Sequence, residues 1–202
     1  MTRIVVFAKA PLAGFAKTRL IPALGAAGAA ALARRMLHHA LEQALATGVQ
    51  AVELCMSPAP GEPAWQGVAL PPAIDCTAQG EGDLGERMSR ALVQALALQQ
   101  GPVLLIGTDC PALSAGHIAE ADRQLAQHDA VLIPAADGGY VLLGLRVHCP
   151  GLFTNMAWST ATVASQTLAR MASLGLKVWQ GPVLHDIDEP ADLRCLPAAF
   201  LS

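Results

Sequence analysis

The amino-acid sequence predicts an α/β fold in which helices cover both faces of a mostly parallel central sheet. Short apolar runs typical of buried strands alternate along the chain with longer segments whose apolar residues recur at helical spacing. Hydrophobic residues make up 53% of the 202 residues and charged residues only 14%, so the chain can bury a substantial core. Because no linker divides the sequence, we expect residues 1–202 to form one three-layer domain.

The N-terminal part of the chain contains four predicted strands and two predicted helices. The strands are short apolar runs, at Ile4–Ala8, Val49–Met56, Ala73–Thr77 and Val103–Gly107. The first helix, over Gly25–Thr47, has leucine residues along one face, and Gly48 is expected to end it. A loop rich in proline and glycine over Ser57–Pro72 separates it from a second helix over Leu84–Leu98.

The C-terminal part of the chain continues the same alternation. Three further strands are predicted, at Ala130–Pro134, Tyr140–Leu145 and Lys177–Gln180. Three further helices are predicted, over Ser114–Gln127, Ser159–Leu174 and Glu189–Leu196, with Gly175 ending the middle one. Since strands and helices alternate along most of the chain, most strand pairs are expected to be parallel.

The charge of the chain argues against several classes of partner. Its formal net charge is −3 and its pI about 6.0, whereas nucleic-acid-binding domains usually present a basic surface. No continuous apolar run approaches the roughly 20 residues of a membrane span, and no signal peptide is visible. We therefore expect a cytoplasmic protein with no nucleic-acid partner and no membrane span, and the sequence leaves its oligomeric state open.

The cysteines show neither a disulfide pattern nor a metal-binding pattern. There are five of them, an odd number, and no two have zinc-ligand spacing. We therefore expect buried, reduced thiols, none of them essential for function.

The first predicted strand runs into a loop that concentrates positive charge, AKAPLAGFAKTRL, over Ala8–Leu20. Gly14 favours a loop, and three cations surround it in sequence, Lys9, Lys17 and Arg19. This is not a Walker A motif, because Ala16 stands where that motif has glycine. Ligands of open α/β sheets bind beyond the carboxyl ends of the strands, where backbone N–H groups and cations suit a pyrophosphate. The loop is therefore a candidate phosphate site, with a solvated basic loop as the alternative.

An acidic turn follows the most apolar of the predicted strands. Asp109 comes directly after the run Val103–Gly107, at the predicted mouth of the sheet, where a hard cation could bridge a ligand phosphate. The alternative is a turn-forming aspartate, since this residue type often hydrogen-bonds its own backbone. The neighbouring Cys110 is interpreted as a packing residue, because no cysteine–histidine pair can be argued from the sequence.

Two glycine-containing segments supply further candidates. Asp137, Gly138 and Gly139 precede the strand that begins at Tyr140, and the glycines allow either close approach to a ligand or a hairpin turn. In GEGDLGERM, Asp83 and Glu86 have the spacing of a helix capping box, which explains both acids structurally. The same segment contains two residues that could approach a nucleobase or phosphate, Gly85 and Arg87.

Two turns near helix starts complete the candidate site. Trp158, Ser159 and Thr160 form one of them, where the hydroxyl groups could bind substrate or cap the helix. The other contains Asp186 and Asp188, and here too an N-terminal helix cap is the structural alternative.

Six segments together resemble a known bacterial family: AKAPLAGFAKTRL, GDLGERM, GTDCPAL, DGGYVLLGL, the WST turn and DIDEPADL. They are similar to the DUF2064 proteins, also described as radical-SAM/selenodomain-associated transferase 1 or arsenosugar-biosynthesis-type glycosyltransferases. The resemblance extends from near residue 4 to near residue 193. It implies a Rossmann-like sandwich of the glycosyltransferase-A type, in the nucleotide-diphospho-sugar transferase superfamily, and a divalent metal, Mg²⁺ or Mn²⁺.

The resemblance also implies roles for individual residues. Lys17 and Arg19 would hold phosphates, and Asp109 would bind the metal. Asp188 falls where related nucleotidyltransferases place a second acid beside the metal, with Asp186 left open as the alternative. Asp109, Asp188 and Lys17 are therefore the candidate catalytic residues.

Three functions remain open at this point. The first is glycosyl transfer from a nucleotide-diphospho-sugar to a small-molecule acceptor. The second is guanylyltransferase-like nucleotidyl transfer from a nucleoside triphosphate, with release of pyrophosphate. The run Asp109-Cys110-Pro111 departs from the Asp-x-Asp motif of many glycosyltransferases, which favours the second relative to the first. The third is a non-catalytic nucleotide-binding module, against which the two acids argue.

Overall fold

A computed structural model describes residues 2–48, 51–98 and 101–200 of the chain and contains one seven-stranded sheet. Its strands are β1 (Arg3–Lys9), β2 (Ala51–Ser57), β3 (Asp75–Ala78), β4 (Val103–Ile106), β5 (Ala130–Pro134), β6 (Tyr140–Leu145) and β7 (Val178–Gln180). They are arranged in the order β3-β2-β1-β4-β6-β5-β7. Only β6 runs antiparallel to its neighbours β4 and β5 among the described strands, so the predicted mostly parallel sheet is confirmed.

Within the described residues, four α-helices cover the sheet on both faces: α1 (Ile21–Ala46), α2 (Leu84–Leu98), α3 (Ala115–Leu125) and α4 (Val163–Ser173). The strands alternate their side chains between two cores, so that Ile4 packs with α1 and α3 while Val5 packs with α2 and α4. A third, smaller cluster joins Leu20 and α1 to Ile187 and Phe200 near the C-terminus. The predicted three-layer sandwich is therefore confirmed.

Several element boundaries differ from the predictions. α1 begins at Ile21 and is interrupted at Gly25, whose φ of 69° is not helical, and the chain turns at Gly48 as expected. α4 begins four residues later than predicted, because Ser159 has a φ of 62° and cannot belong to a right-handed helix. The predicted last helix is a 3-10 helix at Pro190–Cys195. The first two residues predicted for β2, 49 and 50, lie outside the described residues.

The stretch Thr18–Ala46 is long and apolar enough on average to cross a membrane, judged by length and composition alone. The uninterrupted apolar run in this stretch, Leu20–Ala33, is shorter than the roughly 20 residues of a membrane span, and alanine and glycine supply much of it. Leu37 and Leu41 of α1 are buried against the sheet, within the core shared with α3. The apolar face of this helix therefore has a packing role in the fold.

A buried ion pair connects the first three strands. The Arg3 guanidinium donates to Glu53 (Nη1 to Oε2, 3.1 Å) and to Asp75 (Nη1 to Oδ2, 2.9 Å). The hydroxyl of Thr77 donates to the second oxygen of Glu53 at 2.6 Å. Glu53 is only 1% exposed, so these hydrogen bonds replace the water that its buried carboxylate has lost.

Candidate active site at the carboxyl edge of the sheet

The carboxyl ends of β1 and β4 lie side by side at one edge of the sheet, where they border a cavity of about 530 Å³. β1 ends at Lys9, and β4 continues into Gly107, Thr108 and Asp109. Because β6 is antiparallel, its first residue, Tyr140, lies at this same edge. Sequence segments that are far apart in the chain are thereby brought to one opening, as the rule for open α/β sheets predicts.

The segment after β7 reaches this edge by running alongside the end of β5. Leu184 forms a parallel bridge with Ala135, and its N–H donates to the carbonyl of Pro134 at 3.0 Å. Further on, the N–H of Ile187 donates to the carbonyl of Asp109 at 2.8 Å. Ile187 is fully buried in the third core cluster. The two acids on either side of it, Asp186 and Asp188, are therefore held beside the turn that follows β4.

Asp109 and Asp188 converge on a single atom, the ammonium nitrogen of Lys17. Lys17 Nζ lies 2.7 Å from Asp109 Oδ1 and 2.8 Å from Asp188 Oδ1, and it also donates to the carbonyl of Ile187 at 2.7 Å. Arg19 approaches the other oxygen of Asp188 at 3.4 Å. The two acids, 79 residues apart in sequence, are thus brought together, with the ammonium group of Lys17 between them.

Burial would lower the pKa of Lys17, but the two aspartates oppose this effect. Their charges and hydrogen bonds stabilise the ammonium form more than burial destabilises it, so the pKa of Lys17 lies above its ordinary value. Lys17 is therefore a cation at any pH near neutral.

Asp188 does not cap the helix that follows it. The N-cap of the 3-10 helix is Glu189, which forms a capping box with Asp192. Asp192 also accepts a hydrogen bond from the backbone N–H of Asp188 at 3.0 Å. The helix start is thus satisfied by other acids, and the carboxylate of Asp188 is available to the cavity.

Asp186 lies beside the same acids and also lines the cavity. Burial, followed by the charge of Asp137 and then those of Asp188 and Asp109, raises the pKa of Asp186 to about 6. The carboxyl edge therefore concentrates four acids in one place, a pattern typical of functional sites. A small side pocket of about 120 Å³ adjoins the main cavity between Asp109, Asp137 and Asp186.

Arg87 faces the cavity and is held by a residue that the sequence analysis missed. Gln79, which follows β3 and is 4% exposed, accepts a hydrogen bond from Arg87 Nη1 at 3.1 Å. Its amide nitrogen donates to the carbonyls of Ala8 and Cys55 at 3.1 and 3.0 Å. Gln79 thereby joins the ends of β1 and β2 to the cation on α2. Its position directly after a predicted strand, at the carboxyl edge, was the signal that could have identified it.

Replacing Gln79 with alanine is expected to lower the free energy of unfolding by about 1–3 kcal/mol, because its buried hydrogen bonds to two carbonyls and its hydrogen bond from Arg87 are lost. Urea denaturation of the purified variant measures this change. The matched control is Gln66→Ala, since Gln66 is exposed and such surface changes usually stay within about 0.5 kcal/mol. Equal stabilities of the two variants would contradict the role assigned to Gln79.

Most of the sequence-predicted site residues border the cavity. These are Lys9, Lys17, Arg19, Arg87, Asp109, Asp137, Gly139, Tyr140, Trp158, Ser159, Thr160 and Asp188. The cavity is also bordered by Phe15, an unpredicted aromatic residue in the N-terminal loop that is 78% exposed. Three predicted residues are not part of its lining: Gly14, Gly85 and Gly138.

Two of these glycines approach protein atoms instead of an open cavity. A Cβ atom at Gly85 would lie 2.5 Å from the carbonyl oxygen of Phe153 and 2.7 Å from the ring of Trp158. A Cβ atom at Gly138, in the β5–β6 hairpin turn, would lie 2.1 Å from the carbonyl oxygen of Ala161. The two glycines therefore let neighbouring elements pack closely, and they place the Trp158 turn beside the cavity.

The hydroxyl groups of the Trp158 turn do not cap α4. Thr160 donates to the carbonyl of Ala157 at 2.8 Å, and Thr162 is the residue that precedes the helix. The guanidinium of Arg170 donates to several carbonyls of this connection, among them that of Asn155 at 2.9 Å. The turn is thus held in place from α4, which leaves Ser159 and Thr160 at the cavity wall.

All five cysteines are free thiols, but only Cys55 and Cys110 are buried. The expectation of buried thiols is therefore wrong for Cys76 and Cys195, which are exposed, and for Cys149, which is half-buried. Burial, assisted by the negative charges of Asp186 and Asp109, raises the pKa of Cys110 to about 11, so this thiol is protonated near neutral pH.

Iodoacetamide is expected to modify Cys195 and Cys76 well before Cys110, because reaction needs both access and a thiolate. Mass spectrometry of peptides from a time course measures the order. Denatured protein provides the control, in which all sites should react at similar rates. Early modification of Cys110 in the folded protein would mean that its thiol is activated.

The comparisons with known proteins agree with this architecture. A protein from Desulfovibrio desulfuricans G20, provisionally named a nucleotide-diphospho-sugar transferase, shares 32% identity, with a TM-score of 0.88 over 98% of this chain and 87% of that one. Two structures under 20% identical share the fold. CMP:2-keto-3-deoxy-manno-octonic acid synthetase complexed with CTP has 12% identity and a TM-score of 0.59, covering 96% and 95% of the two chains. Rv0371c of Mycobacterium tuberculosis H37Rv in complex with manganese has 16% identity and a TM-score of 0.57, covering 96% of each chain.

The family is established by the sequence match and by the relative from Desulfovibrio. No protein of curated function matches the chain. A family model matches residues 40–160, more than half of the chain, and this span includes Asp109, Asp137 and the Trp158 turn. The resemblance inferred from the motifs is therefore confirmed, and the protein belongs to the family described as "Uncharacterized protein conserved in bacteria (DUF2064)".

Proposed function

We propose that this protein is a metal-dependent transferase that uses a nucleotide-activated donor, and that it transfers a glycosyl group from a nucleotide-diphospho-sugar. The observation that supports this most is the convergence of Asp109 and Asp188 on one cationic point at the mouth of the sheet. The provisional name of the relative that is 32% identical supports the nucleotide-diphospho-sugar donor.

The acids present fit a divalent ion such as Mg²⁺ or Mn²⁺. The position between Asp109 and Asp188 already accommodates a positive group, and its donors are the hard carboxylate oxygens that such ions prefer. Within the described residues no group of three or more acids, histidines or cysteines is arranged to hold an ion. This agrees with Mg²⁺ sites in which one or two carboxylates share the ion with ligand phosphates and water.

Different residues around the cavity are placed to bind different parts of a donor. Arg19, Arg87 and Lys9 are placed to neutralise the phosphates, with the arginines able to form paired hydrogen bonds. Trp158 and Tyr140 offer aromatic surface for a base or sugar. A divalent ion, when bound, would neutralise charge on the leaving diphosphate. An acceptor hydroxyl would then attack the sugar carbon, and its proton would pass to a nearby base or to water.

Nucleotidyl transfer is the second candidate, and a specific observation favours it. Asp188 joins Asp109 from a distant segment, as the resemblance to nucleotidyltransferases implies, while Cys110 and Pro111 replace the second acid of an Asp-x-Asp motif. In this reaction a substrate phosphate would attack the α-phosphate of a nucleoside triphosphate and release pyrophosphate. The fold shared with a synthetase that was solved with CTP is compatible with either reaction.

One set of assays separates these reactions from simple binding. Nucleotide sugars are incubated with the protein and Mn²⁺, and release of nucleoside diphosphate is measured with and without a panel of small alcohols and sugars. In parallel, nucleoside triphosphates and sugar 1-phosphates are tested for release of pyrophosphate. Release of diphosphate supports glycosyl transfer, and release of pyrophosphate supports nucleotidyl transfer. A nucleotide-induced rise in melting temperature without either product would indicate a non-catalytic binding module.

A further inference from the structure

The ammonium group of Lys17 has no donor left for a ligand. An ammonium has three N–H groups, and Lys17 is surrounded by three acceptors at 2.7–2.8 Å: the carboxylates of Asp109 and Asp188 and the carbonyl of Ile187. Its side chain is only 7% exposed. The geometry thus differs from that of a phosphate-binding lysine whose charge points into an open site.

The backbone at Lys17 also fixes this arrangement. Its φ of 49° and ψ of 44° lie in the left-handed region, which is uncommon for residues other than glycine and is maintained only by surrounding contacts. Its carbonyl accepts a hydrogen bond from Leu20 at 2.9 Å, and Leu20 packs with Ile187 in the third core cluster. The same core thus anchors both the lysine and the segment that presents Asp188.

The other cations of the cavity are oriented differently. The side chain of Arg19 is 62% exposed and reaches Asp188 only at 3.4 Å, and Lys9 is exposed at the end of β1. Arg87 is held at Gln79 with part of its guanidinium left for the cavity. The phosphates of a ligand can therefore be neutralised without Lys17.

We propose that Lys17 is a positioning residue, an internal counter-cation that holds Asp109 and Asp188 together and competes with a divalent ion for them. This inference rests on the proposed metal-dependent function and replaces the expectation that Lys17 is a primary phosphate ligand. When the site is free of metal, the ammonium prevents the two carboxylates from repelling each other. Binding of a divalent ion then requires the ammonium to give up at least part of its contact with both acids.

The test measures Mn²⁺ binding in the absence of nucleotide, by electron paramagnetic resonance of the free ion. Lys17→Met removes the competing charge while keeping an unbranched apolar chain, so its affinity for Mn²⁺ should rise at least about tenfold over wild type. Lys9→Met removes a charge from the same cavity but from an exposed position, and its effect should stay below about threefold. Adding Asp188→Asn to Lys17→Met should abolish the gain. Unchanged or weaker Mn²⁺ binding by folded Lys17→Met would overturn the inference.

A second measurement uses the unaltered protein, in case Lys17→Met does not fold. The chain has three lysines, and among the contacts of the described residues only the ammonium of Lys17 is enclosed by three acceptors. Its N–H signal should therefore be protected from exchange with water in ¹⁵N-edited spectra. Titration with Mg²⁺ should shift or broaden this signal and leave that of Lys177 unchanged. A protected Lys17 signal that persists unchanged at saturating Mg²⁺ would overturn the inference.

The outcomes are distinct from those that test the proposed function. If wild type releases product from a nucleotide-activated donor but Lys17→Met gains no affinity for Mn²⁺, only the inference about Lys17 fails. If no nucleotide substrate is turned over while Lys17→Met does gain affinity, the counter-cation role stands and the proposed reaction fails.

Discussion

Asp109→Asn is expected to abolish the Mn²⁺-dependent part of nucleotide binding and to lower turnover by at least about a hundredfold, because ion-assisted charge stabilisation contributes several kcal/mol. The substitution keeps the size of the side chain and one acceptor oxygen but removes the charge that both Lys17 and a divalent ion would bind. Initial rates and nucleotide-induced thermal shifts, each with and without Mn²⁺, measure the effect.

The matched control for this experiment is Asp83→Asn. Asp83 is exposed and caps α2, where asparagine caps nearly as well, so both rate and thermal shift should be retained. Asp188→Asn should lose the Mn²⁺-dependent shift as Asp109→Asn does. If it keeps the full shift, Asp188 is not a metal ligand, and Asp186 must complete the site. Retained Mn²⁺ dependence in Asp109→Asn would contradict the proposed metal site altogether.

The largest loss of stability is expected from Glu53→Ala, at about 3–5 kcal/mol, because it leaves the buried Arg3 without its buried partner. Asp75, the remaining partner, has a side chain that is 64% exposed, and solvent weakens its interaction with Arg3. Chemical denaturation with a fitted free energy of unfolding measures the change.

Two control variants show whether the loss of stability in Glu53→Ala comes from the unpaired charge of Arg3. Asp75→Ala removes the exposed partner and should cost no more than about 1 kcal/mol. The double variant Arg3→Met and Glu53→Leu removes the pair entirely and should be considerably more stable than Glu53→Ala alone. A double variant that is as unstable as the single one would mean that packing around Glu53, and not the unpaired arginine, determines the loss.

The strands and most helices could be predicted because the apolar patterns that indicate them lie within short stretches of sequence. β5, β6 and α2 have the boundaries expected from the apolar pattern alone. The irregularity at Gly25 and the late start of α4 were not predicted, since the positive φ angles of Gly25 and Ser159 are not visible in the apolar pattern. The direction of β6 was left open, because Gly138 and Gly139 allowed either a hairpin turn or close approach to a ligand, and the structure shows the hairpin.

The sequence predicted that the candidate site lies at the carboxyl edge of the sheet, but it did not predict which side chains contact each other there. The rule that ligands bind beyond the carboxyl ends of strands correctly brought Lys17, Asp109 and Asp188 to one place. It could not show that Lys17 directs its charge to the two acids, because 171 residues separate it from Asp188. It also could not distinguish a glycine that faces a ligand from one that faces a tryptophan ring, as Gly85 does.

The path of the segment after β7 has a consequence for the order in which the protein is completed during synthesis. A nascent chain that has emerged as far as Gln180 already contains every strand of the sheet. It still lacks Asp186, and it lacks Ile187 and Asp188, which supply two of the three acceptors of Lys17. All described strands are therefore synthesised before the acid site can be completed, so that the proposed ability to bind a metal ion would be acquired last.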